Sequence, residues 1–287
     1  MITDKASGVA GWWSKNPQTY GDLHGHALYG GELGAKGDRA FFENADRNLF
    51  EWNRHLHAKQ PFDRLFPFER FRAKRVLEIG CGMGAMASLW AQQGAQLTAV
   101  DLSPFSVEMT RRRFSLMGLS GRILEADGRT LPFDQDEFDY VYSWGVLHHS
   151  PNLTLSLREM MRVLKPGGEF GLMLYHRRSL LYLWRIWYRE GFIHNERDFL
   201  DPLQLASRYT DGSEAEGNPH TWPVTRSEVR QMLGPYSSGL RFRVLGMELD
   251  HMLNMMLPGV GRAFPRWALK PWARRIGWSL WSEGNRA

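Results

Sequence analysis

The sequence predicts an α/β fold in which a parallel sheet carries helices on both faces, and three observations point that way. A branched apolar run, Val76-Leu77-Glu78-Ile79, enters the turn Gly80-Cys81-Gly82-Met83-Gly84 and passes into Ala85-Met86-Ala87-Ser88-Leu89-Trp90; this reads as a buried strand, a tight turn and a helix start. From Arg75 onward, strand-like and helix-like stretches alternate, as they do where helices are the crossovers of a parallel sheet. Acidic residues also stand at the ends of three successive apolar runs, Glu78, Asp101 and Asp127, on the side where open α/β sheets bind ligands.

The elements follow in order. Residues 1–70 precede the core, with Gly11-Trp12-Trp13 and the glycine-rich 21–37 predicting a loop-rich start. Phe42, Ala45, Leu49 and Trp52 then fall at helical spacing in a helix from Phe41 to about Lys59. After the strand at Val76 comes a second, Leu97-Thr98-Ala99-Val100, ending in Asp101. Ser103-Pro104 starts a helix, since the hydroxyl satisfies an orphan N–H and proline at the first position forfeits no bond. Arg122 to Ala126 is a third strand and Phe138 to Ser143 a fourth. Ser150-Pro151 opens a helix with Leu157, Met160, Met161 and Leu164 on one face, and Lys165-Pro166-Gly167-Gly168 turns into a fifth strand, Glu169 to Tyr175. The alternation then stops. Leu180 to Trp187 is a candidate helix, 210–219 a loop and Thr225 to Leu233 a capped helix. Arg241 to Leu249 and Gly277 to Trp281 supply the last two strands.

The glycine turn carries the first functional signal. A turn this tight needs backbone angles that a β-carbon resists, and a side chain there blocks a ligand from lying against the peptide groups and the N–H donors of the helix start. Gly80, Gly82 and Ala85 also satisfy the pattern of dinucleotide-binding turns. Glu78 separates the two cases: a pyrophosphate beside it meets repulsion, whereas an amino group is attracted. Asp101, about twenty residues on, suits the two hydroxyls of a ribose. A ribose, an amino group and no phosphate together describe S-adenosylmethionine.

The segment from about Arg72 to Arg177 resembles the core of the class I S-adenosylmethionine-dependent methyltransferases. The residues that carry the resemblance are the loop Glu78 to Gly84, Asp101, Glu125-Ala126-Asp127-Gly128, Leu131-Pro132-Phe133, Phe138-Asp139-Tyr140-Val141 and Leu164-Lys165-Pro166-Gly167-Gly168, in the family's order. Val141-Tyr142-Ser143-Trp144-Gly145-Val146-Leu147-His148-His149 is similar to a subgroup of bacterial small-molecule methyltransferases. The resemblance implies a Rossmann-like, doubly wound, seven-stranded sheet, mostly parallel with an antiparallel last strand. It divides the chain into an N-terminal lid (1–70), a cofactor-binding core (71–176), an acceptor-binding insertion (177–236) and C-terminal strands completing the sheet (237–287).

On that resemblance the cofactor site comprises Glu78, Gly80, Cys81, Gly82, Gly84, Asp101, Leu102, Ala126, Asp127, Gly128, Ser143 and Trp144, with Asp127 at the adenine amino group and S-adenosylhomocysteine as the product. The loop after the fourth strand then lies beside the transferable methyl. His149 is the favoured general base there, with His148, Tyr175 and His176 as further candidates, because histidine suits proton removal near neutral pH. Adjacent histidines point differently, so at most one faces the acceptor. Tyr20, His24, His26 and Phe42 of the lid are candidate pocket residues, and Arg177 is a candidate for holding an acidic acceptor.

Composition bounds the rest. The 287 residues suit one large domain or a core with a lobe, and the hydrophobic fraction of 43% is that of a globular protein. Cys81 is the only cysteine, which fits a reducing cytoplasm and excludes a multi-thiolate metal site; no carboxylate triad suggests a metal either. No export signal, membrane span or nucleic-acid motif is visible, and a net charge of +5 is modest. Leu257 to Ile276 is basic and bears Trp267 and Trp272. Such a segment can rest on an anionic membrane surface or grip a lipid-like substrate, but the expectation is a helix whose aromatic face packs on the sheet while its arginines face water. The function that follows is methyl transfer to oxygen or nitrogen of a small metabolite. The alternatives are a protein using the bound sulfonium for a reaction such as cyclisation, and a nicotinamide oxidoreductase.

Overall fold

The computed structural model of the chain describes residues 2–18, 35–211, 217–246, 253 and 266–287. Five strands, β1 (Arg75–Ile79), β2 (Gln96–Asp101), β3 (Arg122–Glu125), β4 (Phe138–Trp144) and β5 (Leu164–Tyr175), pair in parallel. β6 (Ser237–Leu245) and β7 (Ser279–Arg286) close the sheet, β7 running antiparallel to both β5 and β6. The order is β3-β2-β1-β4-β5-β7-β6, the mixed seven-stranded sheet expected. The chain travels outward from β1 to β3 and then returns to the other side of β1 as β4, so a crevice opens at the carboxyl ends of β1 and β4.

Side chains alternate across the sheet with period two. Val76, Tyr140 and Tyr142 face one layer with Trp90, Phe66 and Trp281. Leu77, Val141 and Leu172 face the other with Leu157 and Met160. Phe66 and Trp90 meet Tyr142 with ring centroids 5.0 and 5.7 Å away, so one face of the sheet rests on an aromatic layer. Gly171 in β5 makes room for it: a Cβ there would stand 2.4 Å from Trp281 Cη2 and 2.6 Å from Tyr140 Oη.

The helices form where their caps predict. Ser103 Oγ accepts the Ser106 N–H at 3.2 Å to start α4 (Pro104–Met117), which stops at the left-handed Gly118. α5 (Leu153–Val163) is capped by Asn152 rather than by Ser150. Reciprocal capping boxes start the helices Pro202–Tyr209 and Arg226–Leu233. The helix expected from Phe41 to Lys59 is α2 (Arg39–Trp52); Asn53 ends it by donating its side-chain amide to the Leu49 carbonyl, and a 3₁₀ turn follows. Leu180 to Trp187 proves longer, a wide π-helix over Leu181–Ile193. β5 begins at Leu164 and takes in Lys165-Pro166-Gly167-Gly168, with a register shift against β4.

Two expectations are corrected. Gly11-Trp12-Trp13 lies in a helix, α1 (Ile2–Lys15), and not in a loop. The Ser14 hydroxyl meets that of Ser103 at 2.8 Å and Val9 is buried, so tertiary contact outweighs the low helix propensity of glycine. The basic helix Arg266–Ile276 also turns its tryptophans outward: Trp267 is 77% and Trp272 58% exposed, while Ala273 is buried. Its small residues face the protein because the following Gly277 abuts β6 closely, a Cβ there falling 2.4 Å from the Leu245 carbonyl oxygen. Tyr20, His24, His26 and Arg262 lie outside the described residues.

Gly171→Ala is expected to destabilise the fold by about 1–3 kcal/mol through overpacking against Trp281 and Tyr140. A lowered urea midpoint with an unchanged slope checks it.

Candidate functional site

A cavity of about 350 Å³ lies over the carboxyl ends of the strands. The polar residues on its wall follow the sheet order: Asp127 after β3, Asp101 at the end of β2, Glu78 and the glycine turn at β1, Trp144 to His149 after β4, and Tyr175 at the end of β5. Neighbouring strands are about 4.8 Å apart, so this row of tips spans on the order of 19 Å, the reach of an extended nucleoside bearing an amino-acid arm and of an acceptor beyond it.

Four N–H groups of the glycine turn, those of Gly80, Cys81, Gly82 and Gly84, are not offered to a ligand. Gly80 and Cys81 donate to the Val100 carbonyl at 2.7 and 3.0 Å, Gly82 donates to Asp101 Oδ2 at 2.8 Å and Gly84 to the Cys81 carbonyl at 2.8 Å. A phosphate cradle needs such groups pointing outward. What the turn offers instead is space. Gly80 has φ +85°, and a Cβ on it would strike Val146 at 2.4 Å; Gly82 has φ +51°, and a Cβ on it would meet nothing within 4 Å.

Two buried carboxyls flank that space. Glu78 is 2% exposed, and its Oε2 has no hydrogen-bond partner among the described residues. Burial, with the neighbouring Asp101 adding to it, raises the Glu78 carboxyl to about 8. Asp101 is also pushed up by burial, although its oxygens accept the Gly82 and Ser103 N–H groups at 2.8 and 2.9 Å. Each carboxylate oxygen keeps a further lone pair, so both remain able to accept from a diol.

One cation reaches the same wall. Arg113 of α4 is 1% exposed and pairs through Nη2 with Asp46 and the Phe42 carbonyl, while its Nε and Nη1 are buried without a partner among the described residues. Helical patterning hid it, because an arginine in an amphipathic helix ordinarily faces water; Arg111-Arg112-Arg113 gives no sign which one turns inward.

Further along, Asp127 is gripped by Arg129, whose Nη2 and Nε lie 2.6 and 3.0 Å from Oδ2. Partial burial opposes its charge, but these bonds outweigh the burial and lower its pKa. The carboxylate is thereby held in one orientation at the cavity wall.

At the acceptor end the two histidines separate. His149 lines the cavity, and its Nδ1 lies 2.8 Å from the His220 carbonyl oxygen. A carbonyl only accepts, so Nδ1 carries hydrogen and Nε2 presents its lone pair. Nε2 is 3.5 Å from Asp211 Oδ2, and both atoms are buried without a hydrogen-bond partner. Burial pushes the His149 imidazole down and the Asp211 carboxyl up, each opposed by attraction to the other. Tyr175 donates its hydroxyl to Asp211 Oδ1 at 2.7 Å, and Trp13 of α1 stands edge-on to His149. Asp211 escaped the sequence because 210–219 looks like an ordinary polar loop. It is fixed beside a framework in which Asn218 donates to the Ser207 carbonyl and Thr221 donates to Asn218 Oδ1.

Several expected residues do not reach the cavity. His148 is fully buried, its ring 3.8 Å from that of Tyr175 and neither nitrogen bonded, and burial drives its pKa far down. His176 is buried where Nδ1 meets the Gly277 carbonyl at 3.2 Å and its N–H reaches the Trp278 carbonyl. Ser143 spends its hydroxyl on the Ile79 carbonyl at 2.9 Å, tying β4 to β1. Gly84 packs against Thr110 at the start of the following helix, Ala85–Gln92. Phe42 belongs to a small core between α2 and α4, and Arg177 pairs with Glu228. The other expected cofactor residues, Gly80, Cys81, Gly82, Leu102, Ala126, Gly128 and Trp144 with the three acids, do line the wall. Burial raises the Cys81 thiol well above its ordinary value, which keeps it inert.

A family model described as a methyltransferase domain matches residues 77–172. Over 167 residues the chain is 32% identical to a ubiquinone biosynthesis O-methyltransferase of Xanthomonas oryzae pv. oryzae, covering 53% of this chain and 68% of that one. The chain belongs to the class I S-adenosylmethionine-dependent methyltransferases. It is also 42% identical over 96 residues to a Caenorhabditis elegans sterol 4-C-methyltransferase, a match covering 33% of this chain but only 29% of the nematode protein. In fold it is similar to the methyltransferase chain of a complex with the Haloferax volcanii Trm112 methyltransferase activator, with a TM-score of 0.53 at 18% identity over 88% of this chain and 97% of that one.

The wall fits the family's cofactor. An orphaned acid at Glu78, an orphaned guanidinium edge at Arg113, the open face of Gly82 and the paired acceptors of Asp101 match an ammonium, a carboxylate, close backbone approach and a ribose. Among the described residues no group of three His, Cys, Asp or Glu is placed to hold a metal.

The folded chain keeps a proton on Glu78 that the unfolded chain has lost above its ordinary 4.5. The stability this gives is complete below about 4.5 and is lost as pH rises through about 8. Measured against Glu78→Gln, which cannot ionise, the unfolding free energy of the wild type is expected to decline from about pH 5 to 8 and level off above, by urea titration. A pH-independent difference rules out the raised carboxyl.

Proposed function

We propose that this chain transfers the methyl group of S-adenosylmethionine to an oxygen or nitrogen of a small, largely apolar metabolite, with His149 as the proton acceptor. The observation that carries this is that His149, with a buried Nε2 that has no hydrogen-bond partner, lines the same cavity as Glu78 and Arg113.

When bound, the cofactor supplies an already activated methyl on a positively charged sulfur, so the protein's work is to align, desolvate and deprotonate. Glu78, once ionised, takes the ammonium of the amino-acid arm. Arg113 brings a buried positive charge to its carboxylate, with the N–H groups of Nε and Nη1 not taken up by the protein. Asp101 accepts from the ribose, and Asp127, oriented by Arg129, lies where the adenine amino group falls. A pyrophosphate gains nothing from Glu78 and Asp101, whose ionised forms repel it, and the Gly80, Cys81, Gly82 and Gly84 amides are already bonded, which disfavours a nicotinamide coenzyme.

His149 accepts the proton of a neutral hydroxyl or amine at Nε2. Burial keeps it unprotonated, and Asp211, 3.5 Å from the same Nε2, stabilises the imidazolium once it forms. Tyr175 holds that carboxylate through Oδ1. Val9, Ala10 and Trp13 of α1, with Leu181, Arg185, Thr210 and Asp211 of the segment 177–236, line the rest of the wall, which supports assigning the N-terminal segment and the insertion to the acceptor.

Arg113→Gln is expected to weaken S-adenosylhomocysteine binding at least tenfold by calorimetry, from loss of a charge-assisted pair. 5′-Methylthioadenosine, which lacks the amino-acid arm, should bind both forms alike; equal losses for the two ligands mean that Arg113 acts only through folding. With an accepted substrate, His149→Ala should lower turnover by about 10²–10⁴ while S-adenosylhomocysteine affinity stays within about twofold of wild type. Failure of the wild type to form S-adenosylhomocysteine from any hydroxyl or amine acceptor, despite binding the cofactor, overturns methyl transfer.

A further inference from the structure

Of the ten most exposed large apolar side chains among the described residues, eight sit on two segments. Leu183, Trp187, Tyr188, Phe192 and Ile193 belong to the π-helix and Phe199 follows it; Trp267 and Trp272 belong to the helix Arg266–Ile276. Single exposed apolar residues are ordinary, but such a concentration marks a surface that is covered in use.

The two segments leave the sheet at the same edge. Tyr175 at the end of β5 pairs with Ser279 at the start of β7. The helix Arg266–Ile276 therefore ends beside the point from which the π-helix sets out. Trp278, between that helix and β7, packs on the cluster of Tyr182, Ile186 and Leu205 and also lines the cavity. The aromatic surface thus flanks the cavity wall.

Charge selects the occupant. The helix Arg266–Ile276 contains Arg266, Lys270, Arg274 and Arg275 and no acidic residue, and Lys270, Arg274 and Arg275 are exposed. Two copies of this face brought together would oppose like charges, which association avoids. Tryptophan, with an apolar body and one N–H donor, suits the headgroup level of a bilayer, and lysine and arginine beside it suit anionic lipids. Aliphatic Leu183 and Ile193 suit acyl chains and have no counterpart in a nucleic acid. No helix among the described residues is long and apolar enough to cross a membrane, so contact through this face is peripheral. We propose that the π-helix and the helix Arg266–Ile276 together dock the protein on the surface of an anionic phospholipid bilayer.

The probe is the full chain with unilamellar vesicles of phosphatidylcholine alone or mixed equally with phosphatidylglycerol. Co-sedimentation with the mixed vesicles only, a blue shift of tryptophan fluorescence and release by salt are expected. Lys270→Ala/Arg274→Ala/Arg275→Ala should lower partitioning about a hundredfold, at about fivefold per basic residue, and Trp267→Ala/Trp272→Ala at least about tenfold by loss of inserted apolar area. Both variants should keep the wild-type urea midpoint, because these side chains face outward; Leu116→Ala, on α4 between β2 and β3 and so at the opposite end of the sheet from β5 and β7, should bind as wild type. The proposal is overturned by no binding to mixed vesicles, or by binding that both variants retain. It is equally overturned if the same substitutions abolish a dimer seen by sedimentation without lipid, which assigns the face to a second copy. Tighter binding of a single-stranded oligonucleotide than of vesicles at equal salt, lost in the same variants, assigns it to nucleic acid.

Discussion

The site depends on a turn whose amides are already used. Gly80, Cys81 and Gly82 donate into β2, to the Val100 carbonyl and the Asp101 carboxylate, and this stitching holds β1 and β2 together at the crevice. It also takes from the turn most of the amides with which such a turn binds anions. What remains exposed to the cavity is Cβ-free backbone and two buried acids, so a ligand must bring positive charge and hydroxyl donors. The cost of burying Glu78 is borne by the fold: its raised carboxyl is charge withheld until a cationic partner arrives. Arg113 stands as the complement, a buried guanidinium with one edge satisfied by Asp46 and the other left open. The two together describe a receptor for a zwitterion, and neither alone would.

Much of this was legible in the sequence because the relevant spacings are local. Strand, glycine turn and helix are contiguous from Val76 to Trp90, and the acids at 78, 101 and 127 follow their own strands, so a parallel sheet brings them to one edge without knowledge of packing. Ser103-Pro104 and Thr225 likewise declare their helices within a few residues. What was not legible depends on contacts between distant segments. Arg113 is one of three successive arginines on a helix, and only the approach of α2, 67 residues earlier at Asp46, turns it inward. Asp211 joins His149 across 62 positions through a loop whose composition is that of any exposed turn. α1 forms despite its glycines because it has α4 to rest on.

The pair His148-His149 shows why adjacency is a poor guide to role. Both follow β4 in a 3₁₀ turn, where successive side chains point about a third of a revolution apart. One direction leads into the protein, where His148 stacks on Tyr175 and finds no partner. The other leads into the cavity, where the His220 carbonyl fixes the tautomer of His149 and leaves Nε2 free to act. The second direction becomes a chemical site only because the insertion supplies both the carbonyl and the carboxylate. The setting of His149 is thus a joint property of the core and of a segment outside it.

That division follows from topology. The parallel strands bring Glu78 and Asp101 at their ends, and Asp127 just beyond β3, to one wall with Arg113 of α4, whereas the antiparallel β7 sends the connection preceding it back to the same edge of the sheet. Residues 177–236 and the helix Arg266–Ile276 consequently flank the mouth of the cavity while contributing little to the wall around Glu78 and Asp101. Substitutions there can change the surface beside the cavity without disturbing the buried acids and guanidinium of its wall. A residue such as Trp267 therefore escapes the packing constraint that fixes Trp281, fourteen positions later and fully buried in the aromatic layer. Two tryptophans so close in the chain differ in fate because one lies on the strand and the other on the return path to it.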